Sequence, residues 1–531
     1  MFNGISLSIS PYSYNRSKPS NINFQKKLPI EKEKEILETW YKKNVFKGLP
    51  PELFQQLLQE LPPELLQKLD PKLLLIKDAL REVANCRGCK APKCETVCHL
   101  GDTVSHPNTM KSIKKGNFLS AIAEFDRYPF VGSLCQLCDK ICLREGGCGV
   151  NFNKIEKLIA EYKKKFGIKF LLDKNAVKDE NESKAAVIGS GIAGLTAALD
   201  LTRLGYKVYV FESDNVIGGQ LSRTIPASKF DRKRWLESIE TLKQLGIKFI
   251  PNCKVGRKRY EIKDGKRINV GDRVSLKRLT EMFDLVFANN GACLQNLPDI
   301  KGIDLPNVFS AGKFLEKSVA GNKIEGLSNN IEENINKVVV ISGGGDVAID
   351  AALSATEMGC KNVKIIYRNG LADMSAHKEK IVKAKKEKIK FLPKHQIAEL
   401  TQNNGKTTVK FTPDSATDSM DIDVCVFAHG SKPEPIKTEN GTLPMNEKGR
   451  IDADPKTGKV RGYDNLFASG DNTVLGSEAN AIYAVRKTKK VVEYAHELMS
   501  NRIPKQVLRK ANRSRNRTCG KLNSTIREID S

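Results

Sequence analysis

Two strand–glycine turn–helix–strand units and a cluster of cysteines predict an α/β protein. Two doubly wound nucleotide-binding domains are expected behind a small helical domain. The second nucleotide-binding unit reads as inserted within the first. A short apolar strand, 465–469, ends in Gly470-Asp471 and returns the chain to the first unit late in the sequence.

The first unit spans 185–212. An apolar run, Ala185-Ala186-Val187-Ile188, reads as a buried strand. The turn Gly189-Ser190-Gly191-Ile192-Ala193-Gly194 follows, then a helical stretch 195–204, then a second apolar strand 208–211 ending at Glu212. Strand, turn, helix, strand and acid in this register form the dinucleotide fingerprint. Gly189 allows the tight turn and Gly191 lets backbone approach a pyrophosphate at the helix N-terminus. Gly194 lets helix and strand pack closely. Glu212 accepts hydrogen bonds from a ribose 2′-hydroxyl and disfavours a 2′-phosphate. Beyond it, Ile217-Gly218-Gly219-Gln220-Leu221 permits a loop against a flat ring, and an apolar strand 283–288 ends in Asn289-Asn290-Gly291.

The second unit opens with a strand at 338–341 and the turn Gly343-Gly344-Gly345-Asp346-Val347-Ala348. A helix over 351–358 stops at Gly359, and the next strand, 363–367, ends in Arg368 rather than an acid. An arginine there suits a 2′-phosphate, hence NADP(H) over NAD(H), with a purely structural arginine as the competing reading. His429, after the apolar stretch 424–428, reads as a loop residue near the cofactor and not a base.

Eight of the thirteen cysteines lie in two runs. Cys86, Cys89, Cys94 and Cys98 form the first; Cys135, Cys138, Cys142 and Cys148 form the second. Close thiolates of this kind wrap cubane clusters, the last cysteine of a run often serving a second cluster. Zinc is the competing reading, and the four- and three-residue gaps favour two [4Fe–4S] clusters. Between the runs, Ile113, Phe118, Ile122 and Phe125 suggest helical packing. His99 and His106 read as surface or packing residues. After the last cysteine a helical pattern over 154–160 carries Glu156, by default a solvated helix acid.

The bulk numbers bound the rest. A chain of 531 residues accommodates about three to four domains. No run approaches the ~20 apolar residues of a membrane span. The first thirty residues hold no Asp or Glu and no signal-peptide core, so a disordered leader and a cytoplasmic protein are expected. The net charge of +26 reads as charge spread over solvated faces. It is not a nucleic-acid stripe, since no aromatics interleave with it. The five scattered cysteines read as small buried hydrophobes and not as a disulfide framework. Residues 49–57 and 61–69 repeat a Leu-Pro-Pro-Glu-Leu pattern without assignable chemistry. The expected division is 1–78 extension, partly disordered; 79–172 cysteine domain; 184–320 first nucleotide domain; 330–440 second; 441–500 return to the first; 501–531 basic, disordered tail.

In sequence order, the motifs resemble one family. They are the cysteine spacing at 86–98, the turn at 189–194, Gly218-Gly219-Gln220-Leu221, the stretch 343–350, Tyr367-Arg368, the stretch 374–379 and Gly470-Asp471. Over about 80–495 the chain resembles the small (beta) subunits of NADPH-dependent glutamate synthase, and the N-terminal half of dihydropyrimidine dehydrogenase. The resemblance implies a helical double iron–sulfur domain followed by two Rossmann-like domains, the NADPH domain inserted in the FAD domain. It implies FAD on Gly189, Gly191, Gly194, Glu212, Gln220, Leu221 and Asp471, with Ser190, Ala193, Gly219, Gly291 and Gly470 beside them. NADPH falls to Gly344, Gly345, Asp346, Val347 and Arg368.

By the same resemblance Cys86, Cys89 and Cys94 serve one [4Fe–4S] cluster, completed from the second run, and Cys98 serves the other. Either Glu156 or an eighth cysteine completes that second cluster. No side-chain acid or base is expected in catalysis. Hydride passes from NADPH to FAD, and electrons pass through the clusters to a large FMN- and iron–sulfur-containing subunit that makes glutamate. The alternatives are a ferredoxin-type or other flavoprotein acceptor, and a cluster-bearing scaffold without catalysis. Four positions depart from the family pattern. His99 stands for Pro, Asn289-Asn290-Gly291 for Ala-Thr-Gly, Asn369 for a second Arg, and Thr488 for Gly.

Overall fold

The structure is a computed structural model. It describes residues 71–86, 106–126, 152–165, 183–226, 232–256, 260–263, 266–269, 274–403, 405–412, 418–473 and 481–502. Isolated positions at 36, 38–40, 88, 89, 130, 150 and 230 are also described. The two Leu-Pro-Pro repeats, His99, the tail beyond 502 and six cysteines of the two runs (Cys94, Cys98, Cys135, Cys138, Cys142 and Cys148) lie outside the described residues. The chain divides into two compact units. One comes from the N-terminal and cysteine segments; the other comprises 168–531 with 99–104 and 123–135.

The first unit is helical. Its helices are Pro71–Asn85, His106–Lys114 and Phe152–Lys165, joined by the start of Phe118–Asp126. Pro71 opens its helix where a proline's missing N–H costs nothing. Ala79, Leu80, Val83, Ile113, Phe118, Ile122, Ile155 and Leu158 are buried, at apolar spacings that put one face of each helix inward. Two expectations change here. The expected boundary at 79 falls inside the Pro71–Asn85 helix. The segment before it also contributes to the core: Trp40 is buried, donates from Nε1 to the Ile113 carbonyl at 2.6 Å and meets Phe118 edge-on at 5.5 Å. Phe118 in turn stacks on Tyr162 at 4.6 Å.

The second unit holds two five-stranded parallel sheets. The first runs, edge to edge, Leu466–Ala468, Leu285–Ala288, Lys184–Ile188, Lys207–Phe211, Lys248–Ile250. These strands are almost wholly apolar because helices cover the faces of a parallel sheet. Ile192–Arg203 and Ala481–Arg502 pack against each other on this sheet, with Tyr206 Oη 3.1 Å from His496 Nδ1. The second sheet runs Val308–Ser310, Val424–Phe427, Val338–Ser342, Asn362–Tyr367, Lys390–Pro393. A three-stranded antiparallel sheet, 397–422, packs Ile397, Leu400, Val409 and Phe411 on its Val340, Ile366 and Cys425. Leu294–Gln295 pairs antiparallel with Ser431–Lys432, so the outgoing and returning crossovers form one ribbon.

The crossovers lie elsewhere than expected. Val308–Ser310 hydrogen-bonds to the second sheet and the helix Ala311–Ala320 packs there, so the first part ends before 308 and not at 320. Ile436 and Leu443 join the core of the first sheet, so the return begins before 441. Both segments are short, and a three-residue strand carries too little periodicity to reveal which sheet it joins. The last helix runs to Arg502, slightly past the expected end at 500. Among the described residues no helix is long and apolar enough to cross a membrane.

Candidate functional site

In open parallel sheets, ligands bind beyond the carboxyl ends of the strands where strand order reverses. Strand order reverses beside Lys184–Ile188 in the first sheet and beside Val338–Ser342 in the second, and both glycine turns follow those strands. Each turn opens onto a cavity.

The cavity at the first sheet has a volume near 500 Å³. Gly189, Ser190, Gly191, Ala193, Glu212, Gly219, Gln220, Leu221, Gly291 and Asp471 line it. Gly194 and Gly470 do not; they act through packing. A Cβ on Gly194 would overlap the Gly189 carbonyl and come within 3.3 Å of Val187 Cγ1, so only glycine lets helix and strand close. Gly191 is the opposite case. A Cβ there meets no atom within 4 Å, so its missing side chain serves the cavity and not the fold.

Glu212 is buried at the strand end, and its carboxylate is occupied. Oε2 accepts from the Ser190 amide at 2.8 Å and the Ser190 hydroxyl at 2.5 Å. Oε1 accepts from the Ser213 hydroxyl at 3.1 Å and the Asp214 amide at 3.0 Å. A carboxylate accepts about four hydrogen bonds, so a ribose hydroxyl reaching Glu212 would replace one of these donors. The Gly218 amide donates to Ser190 Oγ at 2.9 Å, which ties the second glycine loop to the same point. Gln220 donates from Nε2 to the Ala292 carbonyl at 3.1 Å.

Asp471 is held by a residue the sequence reading missed. Arg450, buried in the returning segment, donates from Nη1 to the Asp471 carbonyl at 2.5 Å and from Nη2 to the Ser431 carbonyl at 2.9 Å. Burial pushes the Asp471 carboxyl above the usual carboxylate range, and Arg450 only partly opposes it. No local pattern flags Arg450, because its partners come from distant strand ends.

The second cavity is larger, about 950 Å³, and Gly344, Gly345, Asp346, Val347 and Arg368 all line it. A Cβ on Gly344 would fall 2.5 Å from the Tyr367 ring, so strand and turn meet closely there. Asp346 opens the helix that follows the turn. It accepts from the His377 amide at 2.8 Å, lies 2.6 Å from His377 Nδ1 and pairs with Lys380 at 3.1 Å. Burial works to raise its pKa, but the His377 amide and Lys380 hold it below the usual value. Arg368 is exposed at the rim. His429, placed near this cofactor region by the sequence, lines the cavity with Nε2 2.9 Å from Ser342 Oγ. Burial, and then Arg368, lower its pKa. The buried His395, which the sequence reading did not single out, lines the same cavity. Gln220, Arg223, Ile225 and Cys293 line both cavities, so the two spaces adjoin.

In the helical unit the structure describes Cys86, Cys89 and Glu156 of the expected ligands. Both cysteines are half-buried. Glu156 is not the solvated helix acid that its default reading expected: it is only 2% exposed, on the inward face with Ile155 and Ile159. Among the described residues no group of three His, Cys, Asp or Glu side chains is placed to hold a metal ion.

The chain is similar to the glutamate synthase [NADPH] small chain of Halomonas elongata, 27% identical over 438 residues, covering 76% of this chain and 87% of that protein. It is similar to the protein of the same name from Escherichia coli K12, 27% identical over 453 residues, 78% and 90% of the two chains. A Salmonella typhi homolog of the NAD-dependent dihydropyrimidine dehydrogenase subunit PreT is 23% identical over 447 residues, 79% and 94% of the two chains. The pattern of the pyridine nucleotide-disulphide oxidoreductases matches residues 183–497, both parallel sheets and both glycine turns included. The chain belongs to the pyridine nucleotide-disulphide oxidoreductase family.

Proposed function

We propose that this chain is an NADPH-dependent flavin oxidoreductase, like the glutamate synthase small chains it resembles. On this reading FAD occupies the first cavity and NADPH the second, and electrons leave through two [4Fe–4S] clusters. One observation carries the reading: two glycine turns of one type open onto adjoining cavities that share Gln220, Arg223 and Cys293 on their walls. Bound there, the two cofactors supply hydride transfer between nicotinamide and flavin.

The protein's own groups do the selecting. Glu212, buried at the strand end, would accept ribose hydroxyls and disfavour a 2′-phosphate, which suits FAD. Arg368 offers a cation at the corresponding strand end of the second sheet, which suits NADPH. Gly191 leaves room for a pyrophosphate, and the helix beginning at Ile192 presents its N-terminus there. Asp471, fixed through Arg450, accepts hydrogen bonds from the flavin side chain. No side chain is required to move a proton.

The cysteine runs would supply thiolate donors for the clusters, a reading supported by the half-buried Cys86 and Cys89. The burial of Glu156 supports its place among the ligands. By likeness to the small chains from Halomonas and Escherichia, the acceptor is a large FMN- and iron–sulfur-containing glutamate synthase subunit. The test is dye reduction by purified protein reconstituted with FAD, iron and sulfide. NADPH-driven reduction, faster than with NADH, is the expected result. Flavin-loaded protein that leaves the dye oxidised with both nucleotides would overturn the reading.

A further inference from the structure

Two of the departures from the family pattern, Asn289 and Thr488, meet at one residue. Asn289 Nδ2 donates to the Ser469 carbonyl at 2.8 Å and to Ser469 Oγ at 2.9 Å, and Ser469 Oγ lies 2.8 Å from Thr488 Oγ1. All three side chains are buried. A carbonyl only accepts, so the amide nitrogen of Asn289 must face Ser469. The serine oxygen accepts from it and also shares a hydrogen bond with Thr488, in which either hydroxyl can donate. The chain thus links the strand Leu285–Ala288, the strand Leu466–Ala468 and the helix Ala481–Arg502 through polar atoms alone.

This linkage sits between two glycine turns. The carbonyl of Asn289 abuts Gly189, where a Cβ would come within 2.6 Å of it. Ser469 leads directly into Gly470, whose φ of 94° is open to glycine, and whose missing Cβ lets Ala193 approach. Asn472 closes the other side: its Nδ2 donates to the Ala288 carbonyl at 2.8 Å and to Asn290 Oδ1 at 3.0 Å. Asn289 Oδ1 has no partner among the described residues, a burial cost that alanine would avoid.

We propose that Asn289, Ser469 and Thr488 form one cooperative positioning chain that fixes the Gly470-Asp471 turn against the Gly189 turn, with Asn289 and Thr488 acting as a matched pair. Its bearing on flavin rests on the function proposed above; the positioning itself does not. Loss of either polar partner leaves the buried Ser469 hydroxyl short of a hydrogen bond.

The experiment uses the full chain with Asn289→Ala, Thr488→Val, Thr488→Ser and the Asn289→Ala/Thr488→Val double variant. Hydrogen exchange is read in flavin-free protein at 466–473, where the Thr473 amide donates to the Gly470 carbonyl at 2.9 Å. FAD affinity and the KM for NADPH are read in parallel. Thr488→Val and Asn289→Ala should each speed exchange there and weaken FAD about tenfold, about 1.4 kcal/mol, with the KM for NADPH unchanged. The double variant should be no worse than either single one, and Thr488→Ser should restore wild-type behaviour. Wild-type exchange in Thr488→Val, or losses that multiply in the double variant, would overturn the proposal. Altered exchange with unchanged FAD affinity would overturn its link to flavin. Faster exchange in the variants, beside a wild type that takes up no FAD, would support the positioning chain and sink the flavin assignment instead.

Discussion

Gly191→Ala separates the cavity from the fold. Gly191 has φ −63° and ψ 175°, a backbone conformation that alanine adopts without strain, and a Cβ there meets no protein atom within 4 Å. The substitution therefore lowers the entropy of the unfolded chain at no cost to the folded one, a gain of about 0.4–1 kcal/mol. Spread over the unfolding entropy of the matched region, that raises Tm by about 1 °C. The new methyl points into the space where backbone and pyrophosphate are proposed to touch. Crowding of that kind costs about 1–3 kcal/mol, or about 5- to 150-fold in FAD affinity. The assay is FAD uptake by flavin-free protein, read by quenching of flavin fluorescence, beside a thermal melt of the same sample. Higher stability with weaker FAD is the expected pair. Wild-type FAD affinity would refute the placement of the flavin. A Tm several degrees lower without FAD would refute the open geometry of the turn.

Much of the site is legible in the sequence because it is local. A glycine turn between an apolar strand and a helix, with an acid or arginine at the next strand end, states its chemistry within about thirty residues. Glu212 and Arg368 were readable for that reason. What escaped depends on partners far along the chain. Arg450 holds Asp471 and Ser431 through their carbonyls, and no spacing encodes such a contact. The strand Val308–Ser310 joins the second sheet because of hydrogen bonds to Val424–Phe427, more than a hundred residues away. Trp40 looked like part of an extension, yet its indole reaches the Ile113 carbonyl. Asn289 and Thr488 looked like separate departures from a pattern; each is explained only when Ser469 stands between them. Glu156 reads as a surface acid from its neighbours Lys154 and Lys157, but the inward face of its helix passes through 155, 156 and 159.

Gly194→Ala should behave oppositely to Gly191→Ala. Its Cβ overlaps the Gly189 carbonyl, so the variant should lose about 1–3 kcal/mol or more, read as a lower Tm with or without FAD. Arg368→Ala should raise the KM for NADPH about tenfold, the value of one charge-assisted hydrogen bond at an exposed site, with the KM for NADH within about twofold. Asp471→Asn should loosen FAD yet stabilise the flavin-free protein at pH 7. Burial raises the folded pKa of Asp471, so its penalty is fully present above that pKa and fades as pH falls through the carboxylate range. The difference in Tm between variant and wild type should therefore shrink towards pH 4, and a constant difference would contradict the assignment. Iodoacetamide at pH 8 should label exposed Cys293 in the folded protein. Cys360, whose pKa burial pushes up to about 11, and Cys425, raised further by burial, should stay unlabelled until the protein unfolds.

The proposed function is a path of electrons from reduced nicotinamide through flavin to iron. It is tested most directly by anaerobic addition of NADPH to reconstituted protein, with flavin, iron and sulfide quantified on the same sample. The expected result is one FAD and about eight irons per chain, with the flavin band bleached by a single equivalent of NADPH and the cluster absorbance following. Protein that stays colourless and iron-free after reconstitution, or a bound flavin that NADPH leaves oxidised, would contradict it.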